Sequence, residues 1–538
     1  MSTFVFIKSR KLILNLVTSS SDRWTAHLES IDMVFSKFFV LSILSLSVLS
    51  LESCKKKEPG VRSGNGGNGS AEAGLKDMPQ PAPGTPIGPT TLTDQSRSLE
   101  EILEKGTLTK DDCDRYLKGE KDRATTLRCG KWMYFYAHLE VPGPPAKLTD
   151  LLRENAPNTF GKSAEHFGLM PDPYSKNKLP VGMAPGPDMT AGVAVYTFTC
   201  ASCHFGKLED GRYVVGSPNH KFEFGKITLA ISAIPELAAA PGKKMSAEVK
   251  AILDPITDEM FEKGSNRVAV LAQAITLLPS VIVTKVAPPD DEAKQALAIS
   301  PSGVMDPYAP PSLDDGVAIP VRMSPLWGID PKGMTAAGST HGAMLGSNGG
   351  APDLAHIMRT SSTISGKIRA KPIGENYKAE NVQPLVEYVL SLQPPKSEKK
   401  FDSSKLAVGG AIFKKNCYVC HKGVGFAGTR VFDLAEIGTD PNVARLVDAD
   451  KTGKALFNVL TPEELTGGIR ARRLSGVWSM NRLLHNGSVR SLSDLFCLNG
   501  PRPQHVTGSG HSSAGHNFTC EGLSNDEKSS LIYFLESL

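Results

Sequence analysis

The sequence predicts a mainly α-helical protein of two similarly built domains with long irregular loops, and three observations predict it. The chain has 538 residues, more than one hydrophobic core usually supports, so two or more domains are expected. A pentapeptide of the form Cys-x-x-Cys-His occurs twice, as Cys200-Ala201-Ser202-Cys203-His204 and Cys417-Tyr418-Val419-Cys420-His421. Each half then closes on an apolar helical stretch, Leu385–Leu392 in the first and Leu531–Leu535 in the second.

Composition agrees with irregular loops. Gly (50) and Pro (38) make up 88 of 538 residues, against a usual share of roughly 12%. Lys and Arg number 60 against 56 Asp and Glu, a net charge of +4, which leaves no large basic field for nucleic acid.

The first residues read as export machinery. From Met33 come Lys37, an apolar run over Phe38–Leu51, and then Glu52-Ser53-Cys54. That run is short for a membrane span, which needs roughly 20 residues, but it suits a signal peptide over 33–53. A Cys at the cut resembles a lipobox, with Cys54 as the acylated residue, although Glu52 departs from the usual small or apolar residue. Ordinary cleavage and an uncleaved anchor are the alternatives. Residues 1–32 precede a complete signal and read as an upstream mis-start. Residues 54–95, with Lys55-Lys56-Lys57 and Gly64-Asn65-Gly66-Gly67-Asn68-Gly69, are too polar and glycine-rich to order themselves and read as a tether. The expected location is the periplasm or cell envelope, with the protein held at a membrane through Cys54.

Nine Cys are present: four in the pentapeptides, Cys54, and two local pairs, Cys113 with Cys129 and Cys497 with Cys520. An exported chain meets oxidising conditions, so these pairs are expected as disulfides, with buried or free thiols as the alternative.

The pentapeptide has a chemical reason for its spacing. Two thiols one helical turn apart meet the two vinyl groups of a porphyrin, and the adjacent His turns its imidazole to the iron. A random chain of this composition would hold roughly 0.003 such motifs, so two are not chance. Zinc knuckles would need further Cys or His nearby, and a thioredoxin-like pair needs no trailing His. Two c-type haems are therefore expected, attached at Cys200 and Cys203 and at Cys417 and Cys420, with His204 and His421 as metal ligands.

The surroundings of the motifs read as an internal repeat. Gly192 and Gly409 each lie eight residues before the first Cys, and Tyr196 and Phe413 each lie four before it. An opening helix that ends in the motif and packs on a closing helix is the pattern of a small cytochrome c-like domain. Pro394-Pro395 and the charged run Lys396–Lys400 mark the linker, which gives domains over 96–395 and 396–538.

From about residue 98 onward the chain resembles the di-haem cytochrome c peroxidase superfamily, and within it the branch of di-haem rubber-oxygenase-like cytochromes. The resemblance is carried by Ile469-Arg470-Ala471-Arg472-Arg473-Leu474-Ser475-Gly476-Val477-Trp478, continuing to Leu484-His485-Asn486-Gly487-Ser488-Val489. Pro325-Leu326-Trp327-Gly328 and Gly515-His516-Asn517-Phe518 add to it. It implies two cytochrome domains facing across a pseudo-twofold interface. One haem would be six-coordinate and carry electrons, and the other would be open to peroxide or dioxygen. It also implies His516 as distal ligand of the second haem, with His485, a Met or no ligand as alternatives. For the first haem, His220 stands 16 residues after His204, near the spacing of a detachable distal His in peroxidase members, and His341 is a second candidate. The Trp-Asp-Gly segment of the peroxidase members is absent, leaving Trp327 as candidate electron relay or simple core. Arg470, Arg472 and Arg473 read as partners of haem propionates, since guanidinium binds carboxylate in a fork geometry, or else as a solvated turn.

The expected function is electron transfer by an exported di-haem cytochrome. One class is a peroxidase-like or oxygenase-like enzyme with a reactive first haem. The other is a pure carrier with two six-coordinate haems. Either would meet a redox partner protein or a small electron donor.

Overall fold

The computed structural model describes residues 92–137, 146–161, 164–188, 193–230 apart from 228, 247–260, 301–305, 320–329, 379–426, 431–441, 468–503 and 510–538. The expected signal, Cys54 and most of the tether lie outside these residues.

In chain order the strand β1 (Gln95–Ser96) precedes helices α1 (Lys110–Leu117), α2 (Arg123–Tyr136) and α3 (Ala146–Asn155). Strands β2 (Met183–Asp188) and β3 (Val193–Phe198) lead into the short α4 (Cys200–His204), followed by β4 (Phe205–Lys207) and β5 (Tyr213–Val215). Then come α5 (Ala247–Met260), β6 (Val304–Met305), β7 (Val321–Arg322) and α6 (Ala379–Ser391). The second half has α7 (Ser403–Asn416), β8 (Val431–Asp433), β9 (Gly468–Arg470) and α8 (Asn525–Leu535). The chain is thus partly helical with much irregular structure. Small antiparallel sheets accompany the helices: β1-β5-β4, β2-β3, β6-β7 and β8-β9.

Each half is organised by a crossing of two helices. In the second half α7 starts at Asp402, whose carboxylate caps the N–H groups of Ser404 and Lys405 at 2.9 and 3.1 Å. Its partner α8 starts with a capping box between Ser524 and Glu527. The two meet at Gly409, where a Cβ would stand 2.2 Å from the Ser530 carbonyl oxygen and 2.6 Å from Phe534 Cβ. Only a residue without a side chain allows that approach. In the first half α2 crosses α6 in the same manner. A Cβ on Gly130 would stand 2.1 Å from the Pro384 carbonyl oxygen and 2.5 Å from Tyr388 Cβ. Four residues on from each glycine an aromatic ring, Tyr134 or Phe413, is fully buried against the partner helix's ring, Tyr388 or Phe534.

This pairing corrects the repeat read from sequence. The counterpart of Gly409 and Phe413 is Gly130 and Tyr134, rather than Gly192 and Tyr196. Gly192 lies outside the described residues. Tyr196 lies on β3, with its hydroxyl on the Asp150 carboxylate at 3.0 Å. The first motif is entered from a strand, because residues 137–199 separate it from its helix. In the second half α7 does run directly into Cys417, whose N–H donates to the Phe413 carbonyl at 2.8 Å.

One apolar cluster runs through both halves, from Ile102 and Tyr134 to Phe413 and Leu535, with Trp327 inside it. A second cluster belongs to the first half alone and gathers α3, β2, β3 and α5, including Leu152, Phe222, Leu253 and Met323. The chain's entry into the fold is held by Lys131, 0% exposed, whose ammonium donates to the Thr93 carbonyl and Glu104 carboxylate at 2.7 Å each. Both expected disulfides, Cys113–Cys129 and Cys497–Cys520, are present.

Replacing either crossing glycine by alanine must push two helices apart. Gly409→Ala and Gly130→Ala are each expected to lower stability by roughly 1–3 kcal/mol, measured by chemical denaturation.

Candidate functional site

The first motif occupies α4, clamped from several sides. The His204 carbonyl accepts from the Tyr134 hydroxyl and from Gly216 N–H at 2.8 Å. Asn219 N–H donates to the Cys203 carbonyl at 2.8 Å and its side-chain amide to the Ser202 carbonyl at 3.1 Å. Gly182, at φ +89°, lies so near Ser202 that a Cβ would stand 2.2 Å from its backbone nitrogen. The His204 ring places Nδ1 2.8 Å from the Ser324 carbonyl oxygen. A carbonyl only accepts, so Nδ1 carries the proton and Nε2 keeps its lone pair. Burial pushes the ring's pKa down to about 4, favouring that neutral form.

The second motif repeats the arrangement with different partners. His421 N–H closes a helical turn on the Cys417 carbonyl at 2.9 Å, and His421 Nδ1 lies 2.9 Å from the Phe426 carbonyl oxygen. Gly425 and Phe426 both adopt positive φ, which turns that carbonyl toward the ring. Again the lone pair is left on Nε2.

His516 faces this ring. The imidazole centres of His421 and His516 are 6.5 Å apart, with planes at 80°. Two rings coordinating one metal from opposite sides, at about 2 Å per metal–nitrogen bond plus about 1.2 Å from nitrogen to ring centre, would stand about 6.4 Å apart. His516 sits in the left-handed region at φ 57°, unusual for a residue with a side chain, and its buried Nδ1 has no hydrogen-bond partner. Burial, then the charges of His421 and Arg502, push its pKa down to about 3. Arg502 holds the loop in place. Its guanidinium donates to the carbonyls of Leu495, Ser513, Gly515 and His516 and to the Thr519 hydroxyl. The Cys497–Cys520 disulfide ties the ends of the same loop.

Between the motifs lies a buried cationic group. Arg472 donates to the Ser324 hydroxyl, and Arg473 to the Pro325 carbonyl at 2.7 Å. Arg322 donates to the Arg482 carbonyl at 2.7 Å. Burial pushes the pKa values of Arg322, Arg473 and Arg482 down to about 10 and Arg472 further. His485 belongs to this group, with Nδ1 3.1 Å from the Thr439 hydroxyl and its pKa pushed to about 3 by burial, then by Arg472 and Arg322. Arg470 lies on β9, and its side chain is outside the described residues.

Trp327 is 0% exposed and joins the halves. Its Nε1–H donates to the Ser475 carbonyl at 2.7 Å, and its ring packs on Gly216 and Gly476. Burial, then the charges of Arg322 and Arg482, push the His220 pKa down to about 3. Among the described residues no imidazole faces His204 as His516 faces His421. His341 lies outside the described residues.

These residues fit a haem at each motif. None of the four motif cysteines is in a disulfide, although the chain forms two elsewhere. Burial pushes Cys200, Cys203 and Cys417 up to about 12, 11 and 12, so they are neutral thiols in apolar surroundings. The imidazoles offer Nε2, and porphyrin carboxylates would suit the buried guanidinium groups. Among the described residues no group of three or more His, Cys, Asp or Glu could hold a bare metal ion. Nor is any helix there long and apolar enough to cross a membrane.

Sequence reasoning did not find Ser324, Phe426, Arg322, Arg482 or Arg502. The first two act through backbone carbonyls, which leave no signature in residue type. Arg502 stands between Pro501 and Pro503 without a periodic pattern, and the Cys497–Cys520 frame around it was the available signal. Compared with known protein families and with curated proteins, the chain matches none.

Removing the Arg502 clamp would leave several buried carbonyls without donors. Arg502→Met is expected to lower stability by about 2–4 kcal/mol, read from urea denaturation with the Cys497–Cys520 disulfide intact.

Proposed function

We propose that this chain is an exported di-haem c-type cytochrome of the peroxidase-superfamily kind, an oxidoreductase with one reactive haem and one relay haem. The single observation carrying this reading is the asymmetry between the motif histidines. His421 has the His516 ring across from it at coordination distance, and His204 has no described imidazole in that place.

Cys200 and Cys203 would hold the first haem and Cys417 and Cys420 the second, each through two thioether bonds, with His204 and His421 as proximal ligands. Haem supplies a one-electron couple and, where an axial position is open, reactivity toward peroxide or dioxygen. The protein's part is orientation and charge. The Ser324 and Phe426 carbonyls fix each proximal ring and raise its basicity as a ligand. Arg472 and Arg473 balance carboxylate charge that water cannot reach. Trp327, buried between the halves, is the candidate relay. Acylation at Cys54 and the 54–95 tether would hold the enzyme at a membrane of the cell envelope, within reach of a redox partner protein or small donor.

Electron-paramagnetic-resonance spectra of the oxidised and half-reduced protein test this reading. One low-spin and one high-spin signal are expected in at least one redox state, with the high-spin signal changing on adding peroxide. His516→Ala should convert the low-spin second haem to high spin while leaving both haems attached. Two low-spin signals in every state, unaffected by peroxide, would make the protein a pure electron carrier.

A further inference from the structure

Where the two halves meet, Arg322 and Arg482 flank Gly487, where a Cβ would stand 3.3 and 3.5 Å from their Cβ atoms. His220 lies beside Gly303, whose neighbour Val304 pairs with Arg322. Each of the three basic side chains carries buried nitrogen that no hydrogen bond satisfies, Arg322 at Nε, Arg482 at Nη1 and His220 at both ring nitrogens. The arginines are 6% and 7% exposed. Arg322 comes from β7, and its N–H and Nη1 are tied to the carbonyls of His485 and Arg482 at 2.9 and 2.7 Å. The arginine is thereby fixed with Nε unused. His220 follows the loop that braces Cys203, under Gly303, where a Cβ would lie 2.9 Å from His220 Cα.

The charged groups facing His220 are Arg322 and Arg482, and the Ser479 carbonyl lies nearby outside hydrogen-bonding geometry. Arg472 and Arg473 act on Arg322, and Arg490 on Arg482, so among the described residues the charges acting on these two arginines are positive. Among the described residues no carboxylate pairs with Arg322 or Arg482. A guanidinium buried without its counter-charge opposes folding, and an unsatisfied donor adds to that cost. Such a cost is sustained where an anion with two acceptor atoms completes the site.

We propose that His220, Arg322 and Arg482 form a carboxylate-binding site at the seam between the halves. The two guanidinium groups grip one carboxylate, and His220 donates a hydrogen bond to it. The fork of a guanidinium matches the two oxygens of a carboxylate, and a spherical anion would leave one donor short. His220 is on this assignment a positioning residue for the anion and is not an iron ligand. The carboxylate has two possible sources, a haem propionate or a free carboxylate anion. Only the first source rests on the di-haem reading.

The experiment compares holoprotein of wild type, Arg482→Gln, Arg482→Lys and His220→Phe in two measurements, haem midpoint potentials and thermal melting with and without acetate. With a propionate in the site, loss of the Arg482 charge favours ferric haem. The ferrous-to-ferric ratio of one haem at fixed poise should fall about tenfold, equivalent to about 59 mV for one electron. Arg482→Lys should restore most of it, and acetate should have no effect. With a free anion in the site, potentials stay put, and acetate raises the melting temperature of wild type but not of Arg482→Gln. His220→Phe should weaken either response in part and serves the same comparison should Arg482→Gln fail to fold. Potentials and acetate response both unchanged in the variants would overturn the site. Absence of haem would defeat the di-haem reading and still leave the acetate comparison to decide this one.

Discussion

A backbone carbonyl can only accept a hydrogen bond, and two of them set the protonation of the two motif histidines. The Ser324 carbonyl stands 2.8 Å from His204 Nδ1 and the Phe426 carbonyl 2.9 Å from His421 Nδ1. Each fixes the proton on the inner nitrogen and leaves the outer lone pair for a metal. Much of the surrounding structure serves to put those carbonyls in place. Gly328 and Gly425 pack against one another so that the two segments run together, and within the second half Leu474 N–H donates to the Gly425 carbonyl at 2.9 Å. Arg472 then binds Ser324, so the partner of one proximal histidine is held by a residue whose backbone lies against the other.

That interleaving explains why the buried charge lies where it does. Arg322, Arg472, Arg473 and Arg482 come from both halves and meet between the motifs without an acidic counterpart for Arg322 or Arg482 among the described residues. In an apolar core such a group would oppose folding. Anions reaching this group would offset that cost. The Arg502 loop works differently. It spends its hydrogen bonds on backbone carbonyls, and the result is a rigid strap carrying His516 in a backbone conformation the residue would otherwise avoid.

The parts legible in sequence are those where chemistry depends on residue type at short range. The two pentapeptides, the closing helices and the disulfide pairs announce themselves in this way, whereas His516 is reached only through the family resemblance. The opening helix of the first half does not announce itself. Its marks are Gly130 and Tyr134, equivalent to Gly409 and Phe413, but residues 137–199 part them from the motif, and a chance match at Gly192 and Tyr196 has the expected spacing. Strand β3 delivers the first motif, because its hairpin with β2 sits on the first half's own apolar cluster. The carbonyl partners and the cationic cluster were illegible for a different reason. Ser324 meets His204, and Arg322 meets Arg482, across more than a hundred residues, and Phe426, though five residues from His421, acts through its backbone, which residue type does not reveal.

The function proposed for this chain rests on iron-porphyrin being thioether-linked at both motifs, and the mass of the unfolded, acid-acetone-extracted chain decides it. The account predicts a chain heavier by two haems that keeps its red chromophore after extraction. Variants lacking Cys200 and Cys203, or Cys417 and Cys420, should each lose one. A colourless chain at the mass of its amino acids alone would contradict it.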